Sequence, residues 1–324
     1  MRARFADQFP ALLRRVGLFG VEASARRVFA RHHDAKHVTP CKFGNGNGAD
    51  YWGDMVVEVA ARLSFPVRVF RRPCLRVLLN VGTGRRLERE CLDPLDSRAH
   101  RLFGAIVKTL LKRSINGCYS LEDMAADSIA VLDKLNIKRA HILGISMGAM
   151  IAQVVAYLYP QRVASLISVM SASGNPRTGL GKLGAIRGLL SKPSDNSAHA
   201  MQAYLRKIFK AIGSPGQSYS DEQIKEVAEE MVKNGFDVTW SYRQLLAILA
   251  SGDRSKNLRR IMAPALVIHG QEDPLLPLAA GEEVARLIPN SRMMVVKAMG
   301  HDLPDAMIDQ IVPAIAKHCH RYKN

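Results

Sequence analysis

Long apolar runs and aromatic side chains are both scarce in this sequence of 324 residues. No uninterrupted apolar stretch approaches the roughly 20 residues that a transmembrane helix needs, so we expect no membrane span. The first 20 residues contain four arginines and no long apolar centre, and they do not resemble a secretory signal. Aromatic residues make up 6% of the chain and hydrophobic residues 48%, so the core must consist mainly of aliphatic side chains. This length permits one large α/β domain with an insertion, or two small domains.

Cysteines are few, and their spacing does not suggest pairing. There are five of them, they lie far apart, and none belongs to a Cys-x-x-Cys pattern (Cys41, Cys74, Cys91, Cys118 and Cys319). An odd and scattered set favours reduced thiols over a disulfide framework, and hence a cytoplasmic protein. A structural zinc site would need clustered ligands, so no bound metal is expected.

Acidic residues are outnumbered, with 29 Asp and Glu against 46 Lys and Arg, which gives a formal net charge of +17. Most of the excess lies in residues 1–118, which hold 22 basic and 10 acidic side chains. Such a charge could attract nucleic acid or anionic lipid. Because no aromatic residues alternate with the basic ones and no nucleic-acid motif accompanies them, we interpret it as a solvated basic surface without a specific nucleic-acid partner.

The most informative stretch is His-Ile-Leu-Gly-Ile-Ser-Met-Gly-Ala-Met at residues 141–150. An apolar run, a Gly-x-Ser-x-Gly pentapeptide and an amphipathic run predict a strand, a tight turn and a helix, the arrangement called a nucleophile elbow. Gly144 and Gly148 would leave room where the strand and helix backbones nearly touch. The turn would expose the Ser146 hydroxyl, and the Met147 amide at the helix start could donate a hydrogen bond to an oxyanion.

The order of elements along the chain predicts the fold class. Strands and helices alternate from residue 119 to 176, helices alone fill 177–260, and alternation then resumes. This order indicates an α/β architecture, a mostly parallel sheet covered by helices on both faces, with a helical cap over the carboxyl ends of the strands. We therefore predict an atypical basic segment at 1–40, a core at 41–176 and 261–324, and a cap at 177–260.

A serine nucleophile needs a base to accept its proton and an acid to orient that base. In a parallel sheet both partners should follow later strands. Asp273 follows the predicted strand that ends at Ile268, and His301 follows the one that ends near Val296. The resulting chain order of serine, acid and base is the order expected for this architecture.

Each partner has a rival nearby. Glu272 could replace Asp273, although Asp followed by Pro is the usual form of this loop. Asp302 adjoins His301 and cannot easily bend back to its ring, so we expect it to cap the next helix. His269 lies at a strand end, where a structural role is the better interpretation.

Together these motifs resemble the serine hydrolases of the α/β-hydrolase superfamily. Within that superfamily the chain is similar to small soluble esterases, including the aclacinomycin methylesterase-like group. The stretches that carry the resemblance are Tyr-Ser-Leu-Glu-Asp-Met-Ala-Ala-Asp at 119–127, Gly-Ile-Ser-Met-Gly at 144–148, Tyr-Pro-Gln-Arg-Val at 159–163, the Asp273 loop, and Gly-His-Asp-Leu-Pro at 300–304.

The resemblance implies hydrolysis of a small-molecule carboxylic ester through an acyl-enzyme, without a cofactor or metal. Ser146 would be the nucleophile, Asp273 the acid and His301 the base. The small cap suggests short to medium acyl chains. A lactonase, a carbon–carbon hydrolase or a perhydrolase could use the same triad, and a hydrolase-like binding protein that has lost turnover is a further alternative.

The first third of the chain departs from the family pattern. The family has a strand ending in His-Gly, whose next amide completes the oxyanion hole. The nearest match here is Gly-Asn-Gly at 46–48, which makes the Asn47 amide the second candidate donor. Asp54–Leu63 has helical apolar spacing, and Pro66–Phe70 is typical of a strand. We hypothesise that part of residues 1–118 is frame-shifted or divergent, which a clean reading frame in the coding DNA, matched by close relatives, would contradict.

Overall fold

The computed structural model describes residues 120–233 and 238–322, together with the backbone of three short segments. These segments are the strands β1 (Phe19–Gly20), β2 (Met55–Val57) and β3 (Val69–Arg71), which pair antiparallel in the order β1-β3-β2. The strand predicted at Pro66–Phe70 is confirmed at Val69 and Phe70. The helix predicted at Asp54–Leu63 is wrong at Met55–Val57, because Val56 and Val57 pair with Phe70 and Val69 across the sheet. Tertiary pairing of the backbone thus overrides the local helical pattern at these positions.

The main sheet contains β4 (Ala140–Ile145), β5 (Val163–Val169), β6 (Ala265–Gly270) and β7 (Ser291–Val296). All neighbouring pairs are parallel, in the order β4-β5-β6-β7. Strands β5 and β6 are buried along their whole length, which explains why their sequences are mainly apolar and contain no charged carboxylate, lysine or arginine. The predicted fold class is therefore confirmed, and the carboxyl ends of the four strands lie along one edge of the sheet.

Helices connect and cover these strands. In chain order they are α1 (Leu121–Lys134), α2 (Met147–Leu158), α3 (Pro176–Gly179), α4 (Leu183–Leu189), α5 (Ala198–Ile212), α6 (Asp221–Lys233), α7 (Val238–Ser251), α8 (Ser255–Leu258), α9 (Leu278–Leu287) and α10 (Asp305–Arg321). Helix α1 begins at the capping box that the sequence predicts. The Ser120 hydroxyl accepts from the Asp123 amide, and the Asp123 carboxylate accepts from the Ser120 amide. None of the helices in the described residues has both the length and the apolar character needed to cross a bilayer.

Between β5 and β6 the described residues contain helices and loops but no strand, as the sequence predicts. Helices α4, α5 and α6 share a hydrophobic core that is separate from the core of the sheet; its largest members are Met201, Tyr204, Leu205, Ile208, Ile212, Ile224 and Met231. Helix α7 instead places Ala247 and Ile248 against the core of the sheet. The apolar residues of α5 therefore mainly pack this segment's own core, while the cap boundaries at 177 and 260 stay a prediction.

A buried carboxylate fastens the loop after β5 to helix α9. Glu283 accepts hydrogen bonds from the Ser173 hydroxyl (2.6 Å), the Thr178 hydroxyl (2.6 Å) and the Asn175 side-chain amide (2.7 Å). Burial alone would raise the pKa of Glu283, but these three hydrogen bonds outweigh it and lower the pKa. The contact fixes the start of the helical segment beside the carboxyl ends of β5 and β6.

Candidate active site

Ser146 occupies a strained turn between β4 and α2. Its backbone angles are φ 54° and ψ −119°, in a region that side-chain-bearing residues rarely adopt. The Ser146 amide donates to the Val169 carbonyl of β5 (2.9 Å), and its carbonyl accepts from the Ser171 hydroxyl (3.0 Å). Hydrogen bonds to the end of β5 and to the loop after it thus hold both the amide and the carbonyl of Ser146.

The first glycine of the pentapeptide, Gly144, explains how strand and helix come so close. A Cβ atom built on Gly144 would lie 2.2 Å from the carbonyl oxygen of Gly148 and 2.4 Å from the Ala149 nitrogen. Real Cβ atoms do not approach other atoms this closely, so the turn requires glycine at position 144. The elbow predicted from the sequence is therefore present in the fold.

A continuous chain of hydrogen bonds joins the three residues predicted to act together. His301 Nδ1 lies 2.7 Å from Asp273 Oδ2, and His301 Nε2 lies 2.9 Å from Ser146 Oγ. A carboxylate can only accept, so the histidine proton is assigned to Nδ1, and Nε2 is left to accept from the serine hydroxyl. All three come from different loops at the carboxyl ends of β4, β6 and β7.

The Asp273 carboxylate is fixed by its own loop. Its Oδ1 accepts from the amides of Leu275 (2.9 Å) and Leu276 (2.8 Å), which leaves Oδ2 directed to His301. Asp273 is 5% exposed and His301 is 8% exposed, so water has little access to the bond between them. The rival acid Glu272 is an exposed residue and takes no part in this chain of hydrogen bonds.

His269 has the structural role that the sequence favours. Its Nε2–H donates to the Leu276 carbonyl (2.8 Å), which helps to shape the loop carrying Asp273. The same nitrogen lies 3.7 Å from Asp273 Oδ2, too far for a hydrogen bond. Burial, which outweighs the nearby carboxylate, lowers the pKa of His269 and keeps its ring neutral.

Asp302 does not cap the last helix, which begins at Asp305 with Pro304 as its N-cap. The expectation of a helix cap is therefore wrong. The Asp302 carboxylate instead accepts from the amide (2.9 Å) and the hydroxyl (2.5 Å) of Ser214, in the loop after α5. A buried carboxylate needs such donors, and these lie 88 positions away in sequence. Sequence reasoning missed Ser214 entirely, and no local pattern marks it.

One of the two predicted oxyanion donors lies in the described residues. Met147 is the first residue of α2, where backbone amides have no acceptor four residues earlier, and it directly follows Ser146. The hydrogen bonds of this turn begin with the Ala149 amide donating to the Ser146 carbonyl. Asn47, the other predicted donor, lies outside the described residues, as does the hypothesised divergent region. Both roles stay predictions.

A sequence profile of the α/β hydrolase fold matches residues 110–305, more than half of the chain. The chain belongs to the α/β-hydrolase-fold family. It is accordingly a hydrolase of this type, and the resemblance inferred from the sequence motifs is confirmed. The matched range contains Ser146, Asp273 and His301, and it excludes most of the basic first third.

Relatives of this α/β hydrolase act on several kinds of bond. Rhodomycin D methylesterase of Streptomyces peucetius is 25% identical over 221 residues, covering 62% of this chain and 73% of the relative. The 3-oxoadipate enol-lactonase 2 of Acinetobacter baylyi is 28% identical over 183 residues, covering 56% and 64%. A meta-cleavage product hydrolase from Pseudomonas fluorescens IP01 has a TM-score of 0.51 at 21% identity, covering 65% of this chain and 75% of that structure. At this identity the structural likeness establishes the fold alone.

Within the described ranges, no group of three or more His, Cys, Asp or Glu side chains is arranged to hold a metal ion. The titratable groups nearest the candidate nucleophile are instead joined to one another by the hydrogen bonds described above. This arrangement can move a proton from a serine hydroxyl to an imidazole ring.

Proposed function

We propose that this α/β hydrolase cleaves carboxylic esters of short to medium acyl chains through an acyl-enzyme on Ser146. The observation that carries the proposal is a pair of hydrogen bonds, in which His301 Nδ1–H donates to Asp273 (2.7 Å) and the Ser146 hydroxyl donates to His301 Nε2 (2.9 Å). Nucleophile, base and orienting acid at these distances are the arrangement that activates a serine hydroxyl at neutral pH.

In the first half of the reaction, Ser146 Oγ bonds to the ester carbonyl carbon while His301 Nε2 takes the hydroxyl proton. The carbonyl oxygen becomes an oxyanion, and the amides of Met147 and Asn47 are the proposed donors to it. His301 then gives its proton to the leaving alcohol as the carbon–oxygen bond breaks. Asp273 stabilises the imidazolium and keeps its ring oriented.

In the second half, a water molecule attacks the acyl carbon and His301 accepts its proton. The tetrahedral intermediate collapses by breaking the bond to Ser146 Oγ, which recovers the proton from His301. The carboxylic acid leaves, and the resting site is restored. No cofactor or metal is needed in this scheme, because every proton that moves is held by Ser146, His301, water or the alcohol.

The choice of an ester as substrate is supported by the methylesterase among the relatives. The enol-lactonase relative makes a lactone the main alternative on the same triad, and a carbon–carbon bond or a peroxide-forming reaction are others. The proposed limit on acyl length is based on the small size of the helical segment, in which apolar residues such as Met201 and Leu205 are buried in the segment's own core.

The test is hydrolysis of p-nitrophenyl acetate, butyrate and octanoate by the purified protein, together with a γ-lactone and a methyl ester. We expect turnover of the short and medium p-nitrophenyl esters that falls at least about a thousandfold in Ser146→Ala. Ser194→Ala serves as the matched control, because this serine is exposed and bonds only to the neighbouring Asp195 in the described contacts. A profile that favours octanoate would contradict the limit on acyl length.

A folded protein that turns over none of these substrates would refute the esterase proposal and favour a binding protein. Preferential opening of the lactone would favour the alternative chemistry while keeping the triad. Retention of activity in Ser146→Ala would contradict the acyl-enzyme itself. We also propose a cytoplasmic location, on the basis of the odd and scattered cysteines, and subcellular fractionation with an antibody would test it.

A further inference from the structure

The loop that carries His301 is bonded to the end of helix α5 on both sides of the histidine. Before it, the Gly300 amide donates to the Ser214 hydroxyl (2.8 Å). After it, the Asp302 carboxylate accepts from that same hydroxyl (2.5 Å) and from the Ser214 amide (2.9 Å). One serine hydroxyl therefore bridges the two neighbours of the proposed base.

The backbone at His301 is held in the same way. Its amide donates to the carbonyl of Ile212, the last residue of α5, over 2.7 Å. The two chains are also in close contact, because a Cβ on Gly300 would lie 2.5 Å from the Gly213 carbonyl atoms and 2.7 Å from the Ser214 nitrogen. All of these partners belong to the segment between β5 and β6, and none belongs to the sheet.

The bridge is buried. Ser214 is 4% exposed and Asp302 is 8% exposed, so water competes little for these hydrogen bonds. Burial raises the pKa of Asp302, while the two bonds from Ser214 act to lower it. Tyr219 approaches the same carboxylate, and burial together with this charge raises the tyrosine's pKa. Such a cluster has strong directional bonds, and losing one partner leaves another buried and unsatisfied.

We propose that Ser214 and Asp302 are positioning residues that hold His301 in line with Ser146 by fastening its loop to the carboxyl end of α5. The proposal rests on the proposed serine mechanism, in which His301 Nε2 must stay within hydrogen-bond distance of Ser146 Oγ. Asp273 and Ser146 contact the imidazole ring alone, so the main chain around His301 is held by other bonds. These come from Ile212 and Ser214, and from the Glu272 amide, which donates to the Met299 carbonyl two residues earlier (3.0 Å). The helical segment between β5 and β6 then also helps to position the proposed base.

The first test is steady-state kinetics of Ser214→Ala on a p-nitrophenyl ester. We expect kcat to fall by roughly ten- to a hundredfold with KM changed by less than about threefold, because a displacement near 1 Å costs on the order of a hundredfold in rate. Ser214→Thr keeps the hydroxyl and should recover most of the loss. Asp302→Ala, which removes the acceptor instead, should lower kcat to a similar extent.

Ser197→Ala is the matched control. Ser197 caps the opposite end of the same helix, where its hydroxyl accepts from the Ala200 amide (3.1 Å). Its removal should cost stability, as the removal of an N-cap does, without changing kcat. An equal loss of kcat in Ser197→Ala and Ser214→Ala would overturn the proposal, because the effect would then reflect loosening of the whole segment.

The second measurement does not need turnover, which separates this proposal from the proposed function. The low-field proton resonance of His301 Nδ1–H, identified by its loss in His301→Gln, reports the bond to Asp273. We expect it to broaden through solvent exchange in Ser214→Ala and to persist in Ser197→Ala. An unchanged resonance with wild-type kcat in Ser214→Ala would overturn the positioning role. A wild-type protein without turnover would refute the esterase proposal, and the resonance would still decide the positioning role.

Discussion

Replacing Gly144 by alanine tests the elbow geometry most directly. The added methyl group would lie 2.2 Å from the Gly148 carbonyl oxygen, 2.3 Å from its carbonyl carbon and 2.4 Å from the Ala149 nitrogen. All three are backbone atoms in the first turn of α2, so no side chain can rotate away to make room. The strand and the helix themselves must separate.

The distance by which β4 and α2 must separate determines how much stability and activity Gly144→Ala loses. Ordinary contact begins at 3.4 Å, so the closest pair must separate by about 1.2 Å. Overpacking of a side chain commonly costs 1–3 kcal/mol, and a shift of backbone against backbone should exceed that range. We expect Gly144→Ala to lower the free energy of unfolding by about 3 kcal/mol or more. We also expect at least a hundredfold loss of kcat, because Ser146 moves relative to His301.

Urea denaturation followed by circular dichroism measures the first quantity, and p-nitrophenyl butyrate hydrolysis measures the second. Gly184→Ala is the matched control, since a Cβ at this exposed position in α4 meets no atom within 4 Å. There alanine should raise the free energy of unfolding by about 0.5–1 kcal/mol, through its helix propensity and a less flexible unfolded chain. A Gly144→Ala protein within about 1 kcal/mol of wild type, with normal kcat, would refute the close approach at the elbow.

Three further predictions concern stability. In thermal unfolding, Ser146→Gly should be more stable than Ser146→Ala by about 1 kcal/mol, because only glycine adopts φ 54° without strain. Equal stability of the two variants would contradict the strained turn. Glu283→Ala should lower the free energy of unfolding by about 3 kcal/mol, because three donors lose their acceptor, and Glu283→Gln should lower it by less. A loss below about 1 kcal/mol in Glu283→Ala would contradict the stabilising role of these three hydrogen bonds. Burial, followed by the charge of Arg292, lowers the pKa of His318 from 6.5 to about 4. The unfolded chain therefore binds the proton first, and stability should fall by on the order of 2 kcal/mol as the pH drops from 6.5 to 4, after a discount for solvent screening. A His318→Gln variant should lose that slope, and an unchanged slope would exclude His318 as its source.

The parts of the site that the sequence predicts are those encoded locally. Gly144, Ser146 and Gly148 lie in one pentapeptide whose steric needs are independent of the rest of the chain. The Ser120 capping box is equally local. Asp273 and His301 could be predicted because parallel strands bring their carboxyl ends to one edge, so loops after later strands must meet the serine.

The parts that the sequence does not predict depend on distant contacts. Ser214 and Asp302 are 88 positions apart, and nothing in either neighbourhood distinguishes them from ordinary loop residues. The helical spacing of Asp54–Leu63 is a local signal that pairing with β3 overrides at Met55–Val57. The wrong cap assignment for Asp302 has the same origin, since a carboxylate before a helix has two uses and only the folded chain selects one.

The separation of the proposed nucleophile and base along the chain has a consequence for the timing of synthesis. Ser146 and His301 are 155 positions apart, and the ribosome adds about 5–20 residues per second, so the serine emerges roughly 8–30 s before its base. During that interval the nascent chain already contains the elbow sequence, but its hydroxyl has no proton acceptor. Under the proposed mechanism, the hydroxyl becomes reactive only after β7 has joined the sheet and the His301 loop has packed against the end of α5. If the proposed mechanism holds, esters in the surrounding medium meet an unreactive chain until folding is nearly finished. Reaction with a phosphonate directed at Ser146 would then report when the fold is complete.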